Sequence, residues 1–374
     1  MVAPVAVTGA AWSTALGHGL EDVWRRLLAG EHGFVEVESP HRLRNPLAAI
    51  IPAREEEGPA RRLRRLAVET LRRAMTEAGL EASADRTRFV LGTSLGAWLD
   101  DAREREAPLH TWADDVAREV GAREAPVSLS TACSSGSDAI LVGAELIRSG
   151  AAEVCVCAGV DVLTPSKRLA HSALSTMSPT RPRAFDVRHD GMLLGEGAGV
   201  LVLESMAHAR ARSAPLLALF RGAGSANDAA SMTSPDPAAL GARLAMERAL
   251  VDAGLAPGDI GLINAHGSAT PANDRAEAEA FRATFGPGVR PCVFATKGAF
   301  GHTLGATGAM EAIALILALR EGIVPPVAGL EQPEQDFPCS LPVGRPVRHD
   351  EHLGLSLTLG FGGFDTALVF EVPR

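Results

Sequence analysis

Short apolar runs alternate with longer amphipathic stretches along most of the chain. In the first half, runs rich in Val, Ile and Leu have the length of buried strands, and they cover residues 5–8, 88–91, 126–129, 154–158 and 199–203. Apolar residues at helical spacing predict helices over residues 20–28, 61–78 and 135–147. This alternation is typical of an α/β fold.

The second half repeats the same succession of elements. Strands are predicted over residues 216–220, 260–263, 292–295, 353–359 and 366–370, and helices over residues 238–253, 274–285 and 306–319. Alternating strands and helices favour mostly parallel sheets with helices on their faces. We therefore expect a duplicated α/β fold, with two similar halves (residues 1–208 and 209–374) packed as one layered unit.

Composition narrows the class of protein. Of the 374 residues, 46% are hydrophobic and 22% are charged, which is usual for a globular enzyme. The net charge of −9 argues against general binding of nucleic acids. The apolar stretch 313–319 is too short to cross a membrane, and residues 1–11 are predicted as a first strand rather than a secretory leader. Five cysteines, an odd number, favour a reducing compartment, and we expect the cytoplasm.

Three glycine-rich turns each follow a predicted strand and carry a reactive side chain. They are TACSSGS with Cys133, NAHGSATPAND with His266, and KGAFGHTLGATGAME with Lys297 and His302. Reactive groups at the carboxyl ends of strands fit the usual place of ligand sites in such sheets. Cys133 precedes a predicted helix, whose N-terminus should lower the pKa of the thiol. A thiol, two imidazoles and an ammonium group point to carbon–carbon bond chemistry on thioesters.

Other interpretations of these residues are weaker. The Cys and His residues lack the close spacing of metal ligands, so we predict no metal site. Cys155 and Cys157 form a CxC pattern that an alternating buried strand explains better. Residues 92–96 fit the GxSxG pattern of serine hydrolases, but no acid-then-His arrangement stands out after them.

Motifs along essentially the whole chain resemble those of the β-ketoacyl synthases, the condensing enzymes of fatty-acid and polyketide assembly. The resemblance rests on VAVTGAAWSTALG, TACSSGSDAI, FDVRHDGMLLGEGAGVLVLE, NAHGSATPAND, KGAFGHTLGATGAME and LGFGGFDTALV. It implies a thiolase-like fold and an acyltransferase that acts on thioesters of an acyl carrier protein. It also implies that the phosphopantetheine arm of the carrier brings the substrate, so that no metal or redox cofactor is needed.

The resemblance also assigns roles to individual residues. Cys133 would accept the acyl group, His266 and His302 would act on a malonyl thioester, and Lys297 would support them. The remaining implied roles are a charge network (Asp274, Glu277 and Glu311), contacts to phosphopantetheine (Ser268 and Thr270), and an acyl-pocket gate with an oxyanion amide (Phe361 and Gly362). The implied reaction is decarboxylative condensation to a β-ketoacyl thioester, in a specialised polyketide or polyene pathway or in fatty-acid synthesis.

The chain departs from the usual family pattern near the expected acyl pocket. Phe364 and Asp365 replace the usual Thr-Asn after the paired glycines, and Leu-Thr-Leu stands at residues 357–359 instead of Asn-Ser-Phe. Ser268 and Ala269 stand where Thr-Ser is usual, and the stretch 159–175 is shortened. These changes leave open an acyltransferase or a cyclase on the same fold. A non-catalytic chain-length subunit is the other alternative, but the presence of Cys133 with both histidines argues against it.

Two partners are expected from the resemblance. One is a second copy or a related chain-length subunit, giving a homodimer or a heterodimer. The other is the acyl carrier protein, whose acidic helix would meet the arginine-rich helix 61–78 at Arg61, Arg62 and Arg65. On a helical projection, Arg61, Arg65 and Arg72 fall opposite the apolar stripe.

Overall fold

The computed structural model describes residues 4–54, 57–82 and 86–373. Within them the strands are β1 Val5–Ser13, β2 Phe34–Glu36, β3 Leu47–Ala49, β4 Thr87–Gly92, β5 Val127–Leu129, β6 Val154–Asp161, β7 Gly197–Ser205, β8 Ala218–Asn227, β9 Leu262–Asn264, β10 Cys292–Phe294, β11 Ile323–Val324, β12 Val347–Arg348, β13 Leu353–Gly360 and β14 Phe364–Glu371. The helices are α1 Leu20–Leu28, α2 Pro59–Ala78, α3 Ala102–Glu106, α4 Thr111–Val120, α5 Ser135–Arg148, α6 Pro165–Ala173, α7 Met206–Ala211, α8 Leu240–Ala253, α9 Pro271–Phe285, α10 Lys297–Phe300 and α11 Thr307–Glu321.

The order of the strands shows the duplication directly. Ten strands form one hydrogen-bonded sheet in the order β10-β9-β13-β14-β8-β1-β7-β6-β4-β5. Outward from the central pair, the first half has the order β1, β7, β6, β4, β5, and the second half has the order β8, β14, β13, β9, β10. In both halves this is the first, fifth, fourth, second and third of the five predicted strands. The duplicated α/β fold expected from the sequence is therefore confirmed.

The strand directions are more mixed than expected. In each half two neighbouring pairs are parallel, but β7 and β14 run antiparallel to both of their neighbours. For β14 the cause is local, because only three residues separate it from β13, and so short a turn can join only antiparallel strands. The central strands β1 and β8 also pair antiparallel with both of their neighbours, so the expectation of a mostly parallel sheet holds only for the outer three strands of each half.

Helices pack in layers on both faces of the sheet. The central helices α5 and α11 contact each other and strands of both halves, while α2 covers the outer face of the first half and α8 that of the second. Strand β6 shows the two faces, because Val154 and Val156 pack towards α2 whereas Cys155 and Cys157 pack towards α5. The CxC pattern is thus an alternating buried strand, as predicted.

The central helices approach closely at glycines near their N-termini. A side chain at Gly136 of α5 would lie 2.8 Å from the backbone nitrogen of Ala309 in α11, and one at Gly308 would meet Ser137. Each helix also begins after a tight turn with one residue at positive φ, Ala132 (52°) before α5 and Leu304 (51°) before α11. The two reactive turns are therefore held side by side at the junction of the halves.

Most predicted helix bounds agree with the structure to within two residues, and α1 agrees at both ends. The exception is α9, which begins at Pro271 rather than at Asp274 because the Thr270 hydroxyl accepts the Asn273 N–H and caps an earlier turn. No helix in the described ranges is long and apolar enough to span a membrane.

Candidate active site

Two cavities meet beside Cys133. The first is called the polar cavity here because it is the more polar of the two, and its volume is about 340 Å³. Its lining includes His266 and His302 and hydroxyl-bearing and charged residues such as Thr176, Ser268, Thr270 and Asp365, beside apolar ones. The second, the apolar cavity, has a volume of about 390 Å³ and is lined mainly by Leu95, Leu99, Ala132, Ala170, Leu174 and Leu304. Cys133 and Phe361 line both cavities, so the thiol is accessible from two sides.

A network of hydroxyl groups fixes the turn that carries Cys133. The carboxylate of Asp138, one turn into α5, accepts hydrogen bonds from Thr131 (2.5 Å) and Ser134 (2.7 Å), which flank the cysteine. Its other oxygen accepts the hydroxyl of Thr366 on β14 at 2.6 Å. The same carboxylate therefore ties the cysteine turn to the strand that follows Phe361.

The thiol of Cys133 does not have the lowered pKa that its place before a helix suggested. Burial raises its pKa to about 11, although the Phe361 N–H donates to the sulfur and the Lys297 charge favours the thiolate. Loss of hydration outweighs these favourable contacts in a side chain that is only 5% exposed. The sequence-based expectation is corrected on this point, and the resting cysteine is a neutral thiol near pH 7.

His266 and His302 lie together at the base of the polar cavity. Their ring centroids are 5.2 Å apart with the planes inclined at 75°. Burial holds both pKa values well below the usual range, and the charge of Lys297 lowers them further. Both imidazoles are therefore neutral near pH 7.

The hydrogen bonds of the two rings fix their tautomers. Nδ1 of His302 accepts the Leu304 N–H at 3.0 Å, and Nδ1 of His266 lies 3.2 Å from Nζ of Lys297, which as an ammonium group can only donate. The proton of each neutral ring is then on Nε2. Two N–H donors thus face the cavity that both rings line.

Lys297 begins α10 and is almost fully buried. Its Nζ donates to the His266 carbonyl and to the carboxylate of Glu311 in α11. Burial raises the pKa of Glu311 to about 7, against the opposing charge of Lys297. The nearby Thr358 opposes this rise in the pKa of Glu311, and its hydroxyl shares a hydrogen bond of 2.8 Å with Ser137, so the unusual residues 357–359 border this buried network.

The two acidic residues of α9 that were predicted in the charge network hold loops rather than contacting Lys297. Glu277 accepts the N–H groups of His266 and Gly267, both at 2.7 Å, and burial beside Asp274 raises its pKa to about 8. Asp274 accepts the N–H of Phe185 at 2.7 Å and contacts Nδ1 of His189 at 3.0 Å. Of the three acids predicted as a charge network, Glu311 alone forms an ion pair with Lys297 in the described structure.

The four predicted substrate-binding residues all line the polar cavity. Ser268 and Thr270 share a hydrogen bond of 3.0 Å between their hydroxyl groups. Phe361 and Gly362 form the turn between β13 and β14, where Gly362 has a φ of 84° that favours glycine. The N–H of Gly362 donates to the Met232 carbonyl, so a loop from the second half holds the turn.

The arginines of α2 are less accessible than the helical projection suggested. The side chain of Arg62 is 14% exposed and pairs with the buried Glu196, and that of Arg65 is 13% exposed and pairs with Glu57. Glu57 precedes the helix and folds back over it, which a projection of the helix alone does not show. Arg61 lies on the exposed side of the helix.

Three residues near the cysteine were not singled out in the sequence. Asp161 at the end of β6 accepts hydrogen bonds from Lys167, from the Gly305 N–H (2.9 Å) and from Ser94, the serine of the GxSxG pattern. That serine is therefore tied to a carboxylate rather than to a histidine. His171 stacks on Phe361 with ring centroids 5.5 Å apart. Only the tertiary packing brings these residues to the cysteine.

Asp365, which replaces the usual asparagine, is buried at the edge of the polar cavity. Burial raises its pKa to about 8, and the neighbouring Asp228 and Asp236 add to the effect. Because the folded-state pKa lies above that of the unfolded chain, the stability from this proton is complete below about pH 4 and is lost as the pH rises through 8. The free energy of unfolding of Asp365→Asn should therefore rise by about 1–3 kcal/mol relative to that of the unmodified protein between about pH 5 and 9.

Thermal unfolding of both proteins across that pH range measures the effect. Asp336→Asn is a matched control, because it removes an exposed carboxyl group in the same half of the chain. Equal pH profiles for Asp365→Asn and the unmodified protein would contradict the role given to burial.

Among the described residues, no group of three or more His, Cys, Asp and Glu side chains is arranged so that it could hold a metal ion. Residues 2–209 match the family "Beta-ketoacyl synthase, N-terminal domain", and residues 217–331 match "Beta-ketoacyl synthase, C-terminal domain". The two matches together cover most of the chain.

Similar proteins align with nearly the full length. The "3-oxoacyl-[acyl-carrier-protein] synthase 2" of Mycobacterium tuberculosis (strain ATCC 25618 / H37Rv) is 33% identical, covering 98% of this chain and 96% of that protein. "Nodulation protein E" of Rhizobium sp. (strain N33) is also 33% identical and covers 98% of each chain.

Solved structures show the same fold over 100% of both chains. "The ishigamide ketosynthase/chain length factor" has a TM-score of 0.90 at 27% identity, and a beta-ketoacyl synthase from Burkholderia phymatum STM815 has 0.89 at 29%. A type II PKS ketosynthase in complex with its acyl-carrier protein, at 24% identity, supports the fold with a TM-score of 0.91. Matches to both halves, together with relatives aligned from end to end, show that the chain belongs to the β-ketoacyl synthase family.

Proposed function

We propose that the chain condenses an acyl group held on Cys133 with a malonyl thioester of an acyl carrier protein, giving a β-ketoacyl thioester and carbon dioxide. The observation that carries this proposal is that Cys133, His266 and His302 line one cavity, with the Phe361 N–H directed at the sulfur. The setting would be a specialised polyketide or polyene pathway or fatty-acid synthesis. The catalytic unit would comprise halves 1–208 and 209–374.

In the first step, the Cys133 sulfur attacks the acyl thioester and the carrier thiol leaves with the proton. The N–H groups of Cys133 and Phe361 would stabilise the negative oxygen of the tetrahedral intermediate. Because burial raises the pKa of the thiol, the attack requires that its proton be lost as the bond forms. The apolar cavity would receive the acyl chain.

In the second step, malonyl thioester enters the polar cavity and loses carbon dioxide. The Nε2–H groups of His266 and His302 would donate to the enolate oxygen that develops, which neutral rings with a fixed Nε2 proton are suited to do. The enolate carbon then attacks the acyl-cysteine carbonyl, and the Cys133 sulfur leaves. Ser268 and Thr270 would bind the phosphopantetheine arm. No metal or redox cofactor takes part in these steps.

A partner subunit would complete the apolar cavity. Leu95 and Leu174 line it and yet are 37% and 46% exposed, and β5 beside them is the last strand of the sheet. A partner subunit that covers these exposed leucines and the open edge of β5 would be stabilised by removing apolar surface and unpaired backbone groups from water. We propose a homodimer, or a heterodimer with a chain-length subunit like that in the ishigamide structure.

The non-catalytic alternative is disfavoured, because a subunit without condensing activity would not need the nucleophile and both histidines in one cavity. Intact mass spectrometry distinguishes the possibilities. Protein offered a panel of acyl-carrier thioesters should gain one acyl mass on Cys133, and addition of malonyl carrier should release the β-ketoacyl product. Acylation without this release would instead support an acyltransferase or a cyclase.

Carrier docking would use the exposed side of α2. Arg61 and Arg72 are exposed on that side, whereas the side chains of Arg62 and Arg65, predicted with Arg61, are only 14% and 13% exposed. Reversing Arg61 and Arg72 to Glu should raise the KM for carrier-bound substrate several-fold at low salt. The KM for a small free thioester should stay nearly unchanged. The effect should shrink as salt screens exposed charges.

Steady-state kinetics with a carrier thioester and a small free thioester measure the difference. Arg25→Glu on α1, whose side chain is 76% exposed, is the control for reversing an exposed arginine away from α2. Arg62→Glu would place a second carboxylate beside buried Glu196, and it should lower stability instead. An equal loss with both substrates would count against docking at Arg61 and Arg72.

A further inference from the structure

The wall of the apolar cavity carries a polar ring close to the nucleophile. His171 in α6 is 9% exposed and lines this cavity together with Cys133. Its ring stacks on Phe361 at an interplanar angle of 23°, and the N–H of Phe361 donates to the Cys133 sulfur. An acyl group on the cysteine would therefore have its first carbons near this ring.

The two nitrogens of the ring have different surroundings. Nδ1 lies 3.1 Å from the hydroxyl of Thr176, which lines the polar cavity. Nε2, on the opposite edge of the ring, has no hydrogen-bond partner within residues 4–54, 57–82 and 86–373. Nε2 is not among the fully buried unpaired atoms of the described residues, so it is open to the cavity that His171 lines, and a ligand there can provide the missing partner.

The ring is uncharged and can present either a donor or an acceptor. Burial lowers the pKa of His171 to about 4, and the nearby charge of Lys167 adds to the effect. The Thr176 hydroxyl lies 3.1 Å from both Nδ1 and the His171 carbonyl. If its one proton goes to the carbonyl, Nδ1–H donates to the hydroxyl oxygen and Nε2 is an acceptor; if the proton goes to Nδ1, Nε2 carries the ring proton. Nε2 can then donate to a carbonyl or accept from a hydroxyl group.

A second polar group lies in the same wall. Lys167, 4% exposed, donates from Nζ to the Asp161 carboxylate and, at 2.9 Å, to the Val162 carbonyl. An ammonium group has three N–H bonds, and the described structure assigns acceptors to two of them. A fully saturated chain would pair with neither this group nor His171.

We propose that His171 is a specificity-determining residue that hydrogen-bonds through Nε2 to a keto or hydroxyl oxygen of the acyl chain on Cys133. The apolar cavity would then favour a 3-oxoacyl or 3-hydroxyacyl group over the saturated group of equal length. This inference rests on the proposed function, because it requires Cys133 to carry the acyl group.

The test compares rates of Cys133 acylation by carrier thioesters of hexanoyl, 3-hydroxyhexanoyl and 3-oxohexanoyl groups, followed by intact mass. The unmodified protein should accept an oxygenated group about 3- to 10-fold faster than hexanoyl, as expected for one hydrogen bond. His171→Phe keeps an aromatic ring against Phe361 but lacks both nitrogens, and it should bring this ratio to about one. His171→Gln places an amide near the position of Nε2 and should retain most of the preference.

Two outcomes would overturn the inference while leaving the proposed function standing. They are acylation of the unmodified protein without preference for an oxygenated group, and a ratio that His171→Phe leaves unchanged. Loss of the preference in His171→Gln as well, with all proteins unfolding at similar temperatures, would show that packing against Phe361 sets it and would also refute the hydrogen bond. Failure of all three thioesters to acylate Cys133 would refute the proposed function itself.

Discussion

Cys133→Ala should abolish acylation of the protein by carrier thioesters, because it removes the one sulfur that lines both cavities in the described structure. The other thiols lack its surroundings. Cys155 and Cys157 are buried in β6, where they pack towards α5. Intact mass after incubation with acyl carrier measures the effect as the fraction of protein that gains the acyl mass.

Cys155→Ala and Cys157→Ala are matched controls, since each deletes one buried sulfur elsewhere in the same half. Both should still be acylated. Cys157→Ala should lower stability, because its sulfur packs against Gly143 of α5 and its loss leaves a small cavity. Acyl mass remaining on Cys133→Ala would show that another residue is the acceptor.

His266→Ala and His302→Ala should each accept an acyl group but lose decarboxylative condensation by about 10²- to 10³-fold or more, the usual cost of removing one oxyanion donor. The reason is geometric, because each ring contributes one Nε2–H to the polar cavity. Single-turnover experiments separate the two steps, with acylation followed by mass and carbon dioxide release measured after malonyl carrier is added.

The conservative changes refine this test. His302→Asn and His266→Asn replace each ring with a neutral N–H donor, and they should recover part of the lost rate. Condensation at near-normal rates in both alanine variants would contradict the division of labour between the cysteine and the histidines. A loss of acylation equal to the loss of condensation would contradict it too.

The sequence predicts the order of elements and the reactive turns well, because both depend on local patterns. Helix α1 agrees at both ends, and the ten predicted strands of the large sheet are all present. Cys133, His266, Lys297 and His302 come together as expected from three strand ends. These predictions succeed because the periodicity of apolar residues and the identity of turn residues can both be recognised within a short stretch of sequence.

What the sequence does not reveal depends on tertiary contacts. The helix N-terminus before α5 suggested a low thiol pKa, but the pKa depends on burial by distant segments, and burial raises it. Arg65 falls opposite the apolar stripe of α2, yet Glu57 folds back to cover it. His171 is an ordinary helix residue until β13 and β14 bring Phe361 against its ring.

The junction of α5 and α11 at Gly136 and Gly308 has a consequence for how the protein could be divided. A break in the chain between α7 and β8 would leave the nucleophile on one fragment and both histidines on the other, so neither fragment alone could condense anything. Activity would return only where the two fragments reassemble with the glycine contacts restored. A bulky side chain at either glycine would prevent the two fragments from associating. Each fragment would then still contain its reactive groups, but the complete site would not form.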